Sequence, residues 1–309
     1  MGFFCRNQRP WLRMAAYVAM GAVATLLVMM FYTDRSVQMA SGQLTAPLDE
    51  LSLEELVARL EHMLSPANER VRCRSAIFPG GKCSCVDATP GDEESCLLVP
   101  IADGSKTVCL DDGLLTPGQP CLVYSFGIRD DLSFETEMVR FGCTVHAFDP
   151  TVRLNRTAAA LPDALHVHYL GIDGHSWTHR VDGREFRLLT LDALVRHLGH
   201  EGVRIDYLKL DAEGSEWSVL RDQLGGGGGA LRRLPQFTVE LHLLFPRGTL
   251  SADPSRQLQL SHADALGFLQ TLHALEEAGF RLMESRPDTS KFAGTGLSYI
   301  YETTWVRQR

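Results

Sequence analysis

The sequence predicts an α/β protein, a mostly parallel sheet with helices on both faces, behind an N-terminal membrane-spanning helix. Two observations carry this reading. From Cys121 onward, short apolar runs alternate with stretches of helical period. Far upstream, residues 14–32 form 19 positions without a charge. The 309 residues, 45% hydrophobic and 22% charged, suit one large domain or two small ones and exclude a collagen-like or wholly disordered chain. A net charge of −8 argues against nucleic acid as a partner, because such binders carry a basic face.

The basic residues Arg6, Arg9 and Arg13 precede the uncharged run and have no acid among them. At 1.5 Å per residue, a helix over 14–32 approaches the roughly 30 Å hydrocarbon core. Trp11 and Tyr32 stand near its two ends, where amphipathic aromatics suit the interface. The arginines are expected to stay cytosolic, making 1–13 a cytosolic tail, 14–32 a signal anchor and the bulk lumenal. Cleavage after Ala40, which would release a secreted protein, is the alternative.

Seven cysteines, Cys73, Cys83, Cys85, Cys96, Cys109, Cys121 and Cys143, all follow the span. An oxidising compartment would pair several as disulfides, although spacing does not fix which. No metal site is expected, since Cys83-Ser84-Cys85 lacks a zinc-knuckle gap and no His lies within 73–121; a divalent cation held by Asp211 and Glu213, whose oxygens suit a hard ion, is the alternative. Asn155-Arg156-Thr157 is a glycosylation sequon, usable only on the lumenal side.

Residues 33–72 read as a stem. Within it Ser52 and Glu55 form a capping box ahead of Leu53, Leu56, Val57, Leu60, Met63 and Leu64 on one helical face. That helix is expected to pack on the main domain or on its copy in a homodimer. Residues 73–120 read as a loop-rich, disulfide-held segment, and 121–309 as the principal domain.

In that domain strands are expected at 122–126, 144–148, 165–170, 205–210 and 237–243, with helices at 134–141, 191–198, 215–224 and 266–278. Thr190 caps the second of these helices. Residues 225–229 are a glycine tip between elements, and 280–285 with 297–306 close the chain as a strand pair. Right-handed crossovers make the sheet mostly parallel. Ligands then bind beyond the carboxyl ends of the strands, at the switch point.

After the first strand come Ser125, Phe126 and Gly127, the last allowing close backbone approach to a ligand. Asp149 follows the second strand, 22 residues past Gly127, where a carboxylate grips a ribose diol. On this reading Asp149→Ala removes ligand binding and leaves stability almost unchanged. Asp173 lies in a turn after the third strand that could flank an adenine. After the fourth strand, Asp211, Glu213 and Glu216 crowd one end, and Glu240 and His242 alternate onto one side of the fifth. A His beside a carboxylate can serve as a base near neutral pH.

The segments CLVYSFGIRDDLSFE (121–135), VHAFDPT (145–151), TLDAL (190–194), IDYLKLDAEGSEW (205–217) and VELH (239–242) together resemble class I S-adenosylmethionine-dependent methyltransferases, within them the FkbM-type branch. The resemblance runs from about Lys106 to Arg309. It implies a Rossmann-like, seven-stranded sheet with an antiparallel last strand, and S-adenosylmethionine along the first two strand ends. Ser125, Phe126, Gly127, Asp149, Asp173 and Asp211 would then bind the cofactor, and Asp211, Glu213 and His242 would be catalytic. The glycine-rich loop is shortened, with Arg129 where a second Gly often sits. The expected activity is O-methylation of a small-molecule or glycan acceptor. A catalytically inactive lumenal binding or scaffold protein on the same fold is the alternative, and the absent dinucleotide fingerprint disfavours an oxidoreductase.

Overall fold

The computed structural model describes residues 47–81, 104–129, 131–152, 161–181, 183–225, 229–243 and 260–308. The expected anchor at 14–32, the sequon at Asn155, most of the glycine tip, and Cys83, Cys85 and Cys96 lie outside them. Among the described residues no helix is long and apolar enough to cross a membrane. Of the first unit, Met1–Leu51, a 3-10 turn at Leu48–Glu50 is described; Ser52–Arg309 is the second unit.

The capping box opens the second unit as expected. Glu55 N donates to Ser52 Oγ at 3.3 Å and Ser52 N to Glu55 Oε2 at 2.8 Å, starting α1 (Leu53–Met63). Next come two short antiparallel strands, β1 (Ala76–Ile77) and β2 (Val108–Cys109). They are stapled by the Cys73–Cys109 disulfide. Gln236 clamps β2 onto the main domain, accepting from Cys109 N and donating to Cys109 O, both at 2.9 Å.

The alternating pattern then delivers β3 (Cys121–Phe126), α2 (Ser133–Phe141), β4 (Cys143–Phe148) and β5 (Leu165–His168). After a small three-stranded sheet, β6 (Gly171–Ile172), β7 (Trp177–Val181) and β8 (Arg184–Leu189), come α3 (Leu191–His197) and β9 (Tyr207–Leu210). The chain closes with α4 (Glu216–Gly225), β10 (Gln236–His242), α5 (His262–Glu277), β11 (Phe280–Pro287) and β12 (Ile300–Arg307).

The principal sheet has seven strands in the order β11-β12-β10-β9-β3-β4-β5. β5, β4, β3, β9 and β10 run parallel, and β12 lies antiparallel between β10 and β11. The chain steps from β3 to β4 in one direction and from β9 to β10 in the other. Right-handed crossovers therefore put α2 and α4 on opposite faces, and the β3/β9 seam is the switch point.

Alternate residues divide the faces. Val123, Val145, Ala147, Leu165 and Tyr207 pack with Phe134 and Met138 of α2. Tyr124, Phe126, His146, Phe148 and His168 turn the other way, with Phe148 stacked between Phe126 (4.6 Å) and His168 (4.8 Å). α4 and α5 meet through Trp217 stacked on Phe268 at 4.2 Å, and α1 lies on α5, burying Leu56 and Leu60. Cys121 and Cys143, paired in register at the start of β3 and β4, form a second disulfide. Where the sequence predicts a turn at 171–174 after the third strand, Gly171 and Ile172 instead pair into the small β6–β8 sheet, which that expectation does not include.

Candidate active site

At the switch point Phe126 pairs with Leu210, and the chains beyond them form adjoining turns. Gly127, at φ +76°, backs onto the Asp211 main chain. Its N–H donates to Phe148 O at 3.0 Å, and its carbonyl accepts from Lys209 Nζ at 2.8 Å. Arg129 follows at φ +46°, a region non-glycine residues seldom occupy, and donates its N–H to Asp149 Oδ2 at 2.9 Å. The turn is thus held from β4, from β9 and by an acid.

Asp149 is 5% exposed. Its Oδ1 accepts from Thr151 N (2.8 Å), Thr151 Oγ1 (2.6 Å) and Val152 N (3.2 Å). Its Oδ2 accepts only from Arg129 N in the described structure, which leaves a lone pair for one hydroxyl. The expectation that Asp149 carries no structural load is corrected, because it knits the turns after β3 and β4. Ser125 and Phe126 support the turn from inside. Ser125 Oγ donates to Glu135, and the Phe126 ring is buried on Phe148, so neither side chain lines the rim. Asp173 also braces loops, accepting from Gly174 N and Trp177 Nε1, both at 2.7 Å, and from Ser218 Oγ of α4.

On the β9–β10–β12 side, register brings acids together. Glu240 stands opposite Glu302, and Asp211 lies one position beyond the Leu210–Val239 pair. Like charges so placed require compensation. Lys106, 1% exposed, supplies it, with Nζ bonded to Glu302, 3.4 Å from Glu240 and 3.9 Å from Asp211. Burial pulls the Lys106 pKa down, but Glu302, Asp211 and Glu240 outweigh it and raise it above the ordinary lysine value. Glu240 is pushed up to about 7. Burial is the main cause, opposed by Lys106 and reinforced by Asp211 and Glu302.

Glu216, at the start of α4, is fully buried and collects the turn after β9. It accepts from Ala212 N (2.7 Å) and Gly214 N (2.9 Å), and His242 Nδ1 lies 3.1 Å away. His242 Nε2 lies 3.6 Å from Glu240 and 3.7 Å from Glu213. Burial lowers the His242 pKa, but the Glu216 hydrogen bond and charge, with Glu240 and Asp211, raise it to about 9. At neutral pH His242 is therefore an imidazolium. Glu213, at φ +50°, projects outward, its side chain 67% exposed. Asp211, Glu216 and His242 have ligand-type atoms within 4.8 Å of one another.

The structure sets Asp149, Asp211, Glu213 and His242 around the ends of neighbouring strands at the switch point. Four further residues were not singled out. Lys106 lies in a segment without periodicity, and no sequence signal marks it. Lys209 is a charged residue inside an otherwise apolar strand, a signal that exists but does not say which partners it meets, whereas Glu135 and Glu302 stand in elements of mixed polarity that do not set them apart.

A seven-stranded sheet of this order, with one antiparallel strand and an acid-bearing rim at its switch point, defines a class I methyltransferase fold. The family described as "Methyltransferase domain" matches residues 95–271, more than half of the chain, and the chain belongs to that family. Membership brings with it S-adenosylmethionine, the cofactor that the sequence resemblance implies. The chain is 31% identical over 218 residues to "Probable methyltransferase-like protein 24" of Homo sapiens, and 31% identical over 215 residues to its Rattus norvegicus counterpart. These alignments cover 66% and 65% of this chain, which spans 56% of either relative. Among solved structures, a Burkholderia thailandensis 1,6-didemethyltoxoflavin-N1-methyltransferase with bound S-adenosylhomocysteine is 14% identical, with a TM-score of 0.31, covering 62% of this chain and 73% of that one.

Proposed function

We propose that the chain transfers the methyl group of S-adenosylmethionine to an oxygen of a small-molecule or glycan acceptor. The observation that carries this is the placing of Asp149 and Asp211, from separate strands, on either side of one Gly127 turn. The donor supplies a sulfonium-bound methyl, already a strong electrophile. What remains for the protein is to bind, align and remove a proton. Asp149 Oδ2 would take a ribose hydroxyl. Asp211 and Glu240 offer negative charge toward the sulfonium. Glu240, partly ionised near pH 7, is better suited than protonated His242 to accept the acceptor's proton. His242 would orient the acceptor by donating, and Glu213 stands at the mouth.

Calorimetric titration of the full chain with S-adenosylhomocysteine tests the donor reading, with NAD as competitor. Binding unaffected by NAD is expected; a cooperatively folded chain that binds neither sinks it. That outcome would select the second reading, an inactive binding protein on this fold. The four donors already occupying Asp149 favour that alternative.

We also propose a lumenal location behind an N-terminal anchor. The disulfides Cys73–Cys109 and Cys121–Cys143 support an oxidising compartment. A mobility shift on endoglycosidase treatment, lost in Asn155→Gln, is the expected result; an unglycosylated chain in secretory membranes would count against it.

A further inference from the structure

We propose that the buried pair Glu135–Lys209 is a positioning device, which aims the backbone N–H of Ile128 at the amino-acid carboxylate of the donor without touching the donor. This rests on the methyltransferase reading and adds to it the residues that orient the cofactor turn.

Lys209 occupies the centre of β9, between the fully buried Leu208 and Leu210. Its ammonium donates to Gly127 O at 2.8 Å and lies 3.8 Å from Glu135 Oε1. Glu135, in the first turn of α2, is fully buried, and Ser125 Oγ also donates to its Oε1. The other oxygen, Oε2, has no hydrogen-bond partner among the described residues. An apolar pair of similar volume is often as stable as a buried ion pair, so stability alone does not account for these two charges.

Their geometric effect is specific. The peptide unit is planar and trans, so its carbonyl and the following N–H point in opposite directions. Lys209 draws Gly127 O inward, and that turns the Ile128 N–H outward, toward the rim. The Gly127 N–H is already used by Phe148 O and the Arg129 N–H by Asp149. The outward N–H of Ile128 can therefore receive an anionic group, and the donor's amino-acid moiety carries a carboxylate. Glu135 balances the ammonium that does the aiming, and Ser125 fixes Glu135 in turn.

The test uses the full chain and the double variant Glu135→Gln/Lys209→Met, which leaves no lone buried charge. Two probes are titrated calorimetrically: S-adenosylhomocysteine, and adenosine, which lacks the carboxylate. The variant is expected to bind S-adenosylhomocysteine at least about tenfold more weakly while keeping its adenosine affinity. Equal S-adenosylhomocysteine affinity in both proteins, or a parallel loss for both probes, overturns the inference. In the wild-type chain, S-adenosylhomocysteine but not adenosine should shift the Ile128 amide proton downfield. This keeps the idea testable if the variant does not fold, and an unshifted Ile128 resonance overturns it. A wild-type chain that binds neither probe defeats the methyltransferase reading itself. One that binds S-adenosylhomocysteine with Ile128 unmoved defeats only the positioning role.

Discussion

Gly127 lies so close to Asp211 that a Cβ added to it would sit 1.6 Å from the Asp211 carbonyl oxygen. At φ +76°, the position also disfavours any L side chain. The two adjoining turns of the switch point therefore fit only with glycine on one side.

Gly127→Ala is expected to separate those turns. The strained backbone and forced shift should cost about 2–4 kcal/mol. Thermal melts should fall by about 5–10 °C. S-adenosylhomocysteine affinity should be lost at temperatures where the variant is still folded. Wild-type affinity in a folded Gly127→Ala protein would show that the turn is no part of the site.

Asp149 separates charge from scaffolding. Asp149→Ala strands the N–H groups of Arg129, Thr151 and Val152, so it is expected to lose about 2–4 kcal/mol by denaturant titration. Asp149→Asn keeps an acceptor oxygen for Thr151 and Val152 and should lose about 1 kcal/mol. Both should abolish ribose-dependent binding. An Asn variant with unchanged affinity would remove Asp149 from the cofactor site.

The sheet was legible because apolar runs and helical periods are local. Its register was legible only in part. The pairing that sets Glu240 against Glu302 brings together residues 62 positions apart, and nothing near either one announces the other. Lys106 was illegible for the same reason, since it answers charges on β9, β10 and β12 rather than any neighbour in sequence. The small β6–β8 sheet was missed although Asp182-Gly183, a strong hairpin dipeptide, stands between β7 and β8. Those strands mix polar and charged residues with apolar ones, and most of their described side chains are exposed, so they lack a strong apolar run. The acids at the strand ends were legible as a group. Their protonation states were not, because burial and partners set them.

Stability should fall as pH rises above neutrality, while below it two buried groups pull in opposite directions. His242 has a folded pKa of about 9, above its unfolded value, so its contribution is full below about 6.5 and is lost as pH rises toward 9. Glu240, raised to about 7, acts in the same direction between about 4.5 and 7. His146 is lowered to about 3 by burial and by His168, His166 and His200, so its contribution is full above about 6.5 and fades as pH falls. Melting temperatures should therefore drop from about pH 6.5 to 9, whereas between about 4.5 and 6.5 the His146 and Glu240 contributions oppose each other. His242→Asn should flatten the alkaline limb, and His146→Phe should make stability rise as pH falls from about 6.5 to 4.5, whatever their absolute stability. An unchanged alkaline slope in His242→Asn would refute the imidazolium assignment.

The disulfides Cys73–Cys109 and Cys121–Cys143 close loops of 36 and 22 residues. Chain entropy assigns each about 3–4 kcal/mol. Cys121→Ala/Cys143→Ala should lower the free energy of unfolding in oxidising buffer by that amount, read by denaturant titration. Dithiothreitol should then have less effect on the variant than on the wild type. If reductant moves neither protein, the pairs contribute nothing to stability.

Lys106 gives a last and sharper test, because its three acids are not equivalent. Lys106→Met leaves Asp211, Glu240 and Glu302 facing one another without their buried cation, and stranding buried charges typically costs about 3–5 kcal/mol. The Glu240 pKa, which Lys106 holds down, should move further above 7. Adding Glu302→Gln removes the acid bonded directly to Lys106. It should recover much of the lost stability, since the pair is then neutral and Thr238 can still donate to residue 302. The double-mutant cycle should show coupling of about 1–3 kcal/mol by denaturant titration. Additive losses would mean that Lys106 does not act through Glu302. The rim acids would then need another source of compensation.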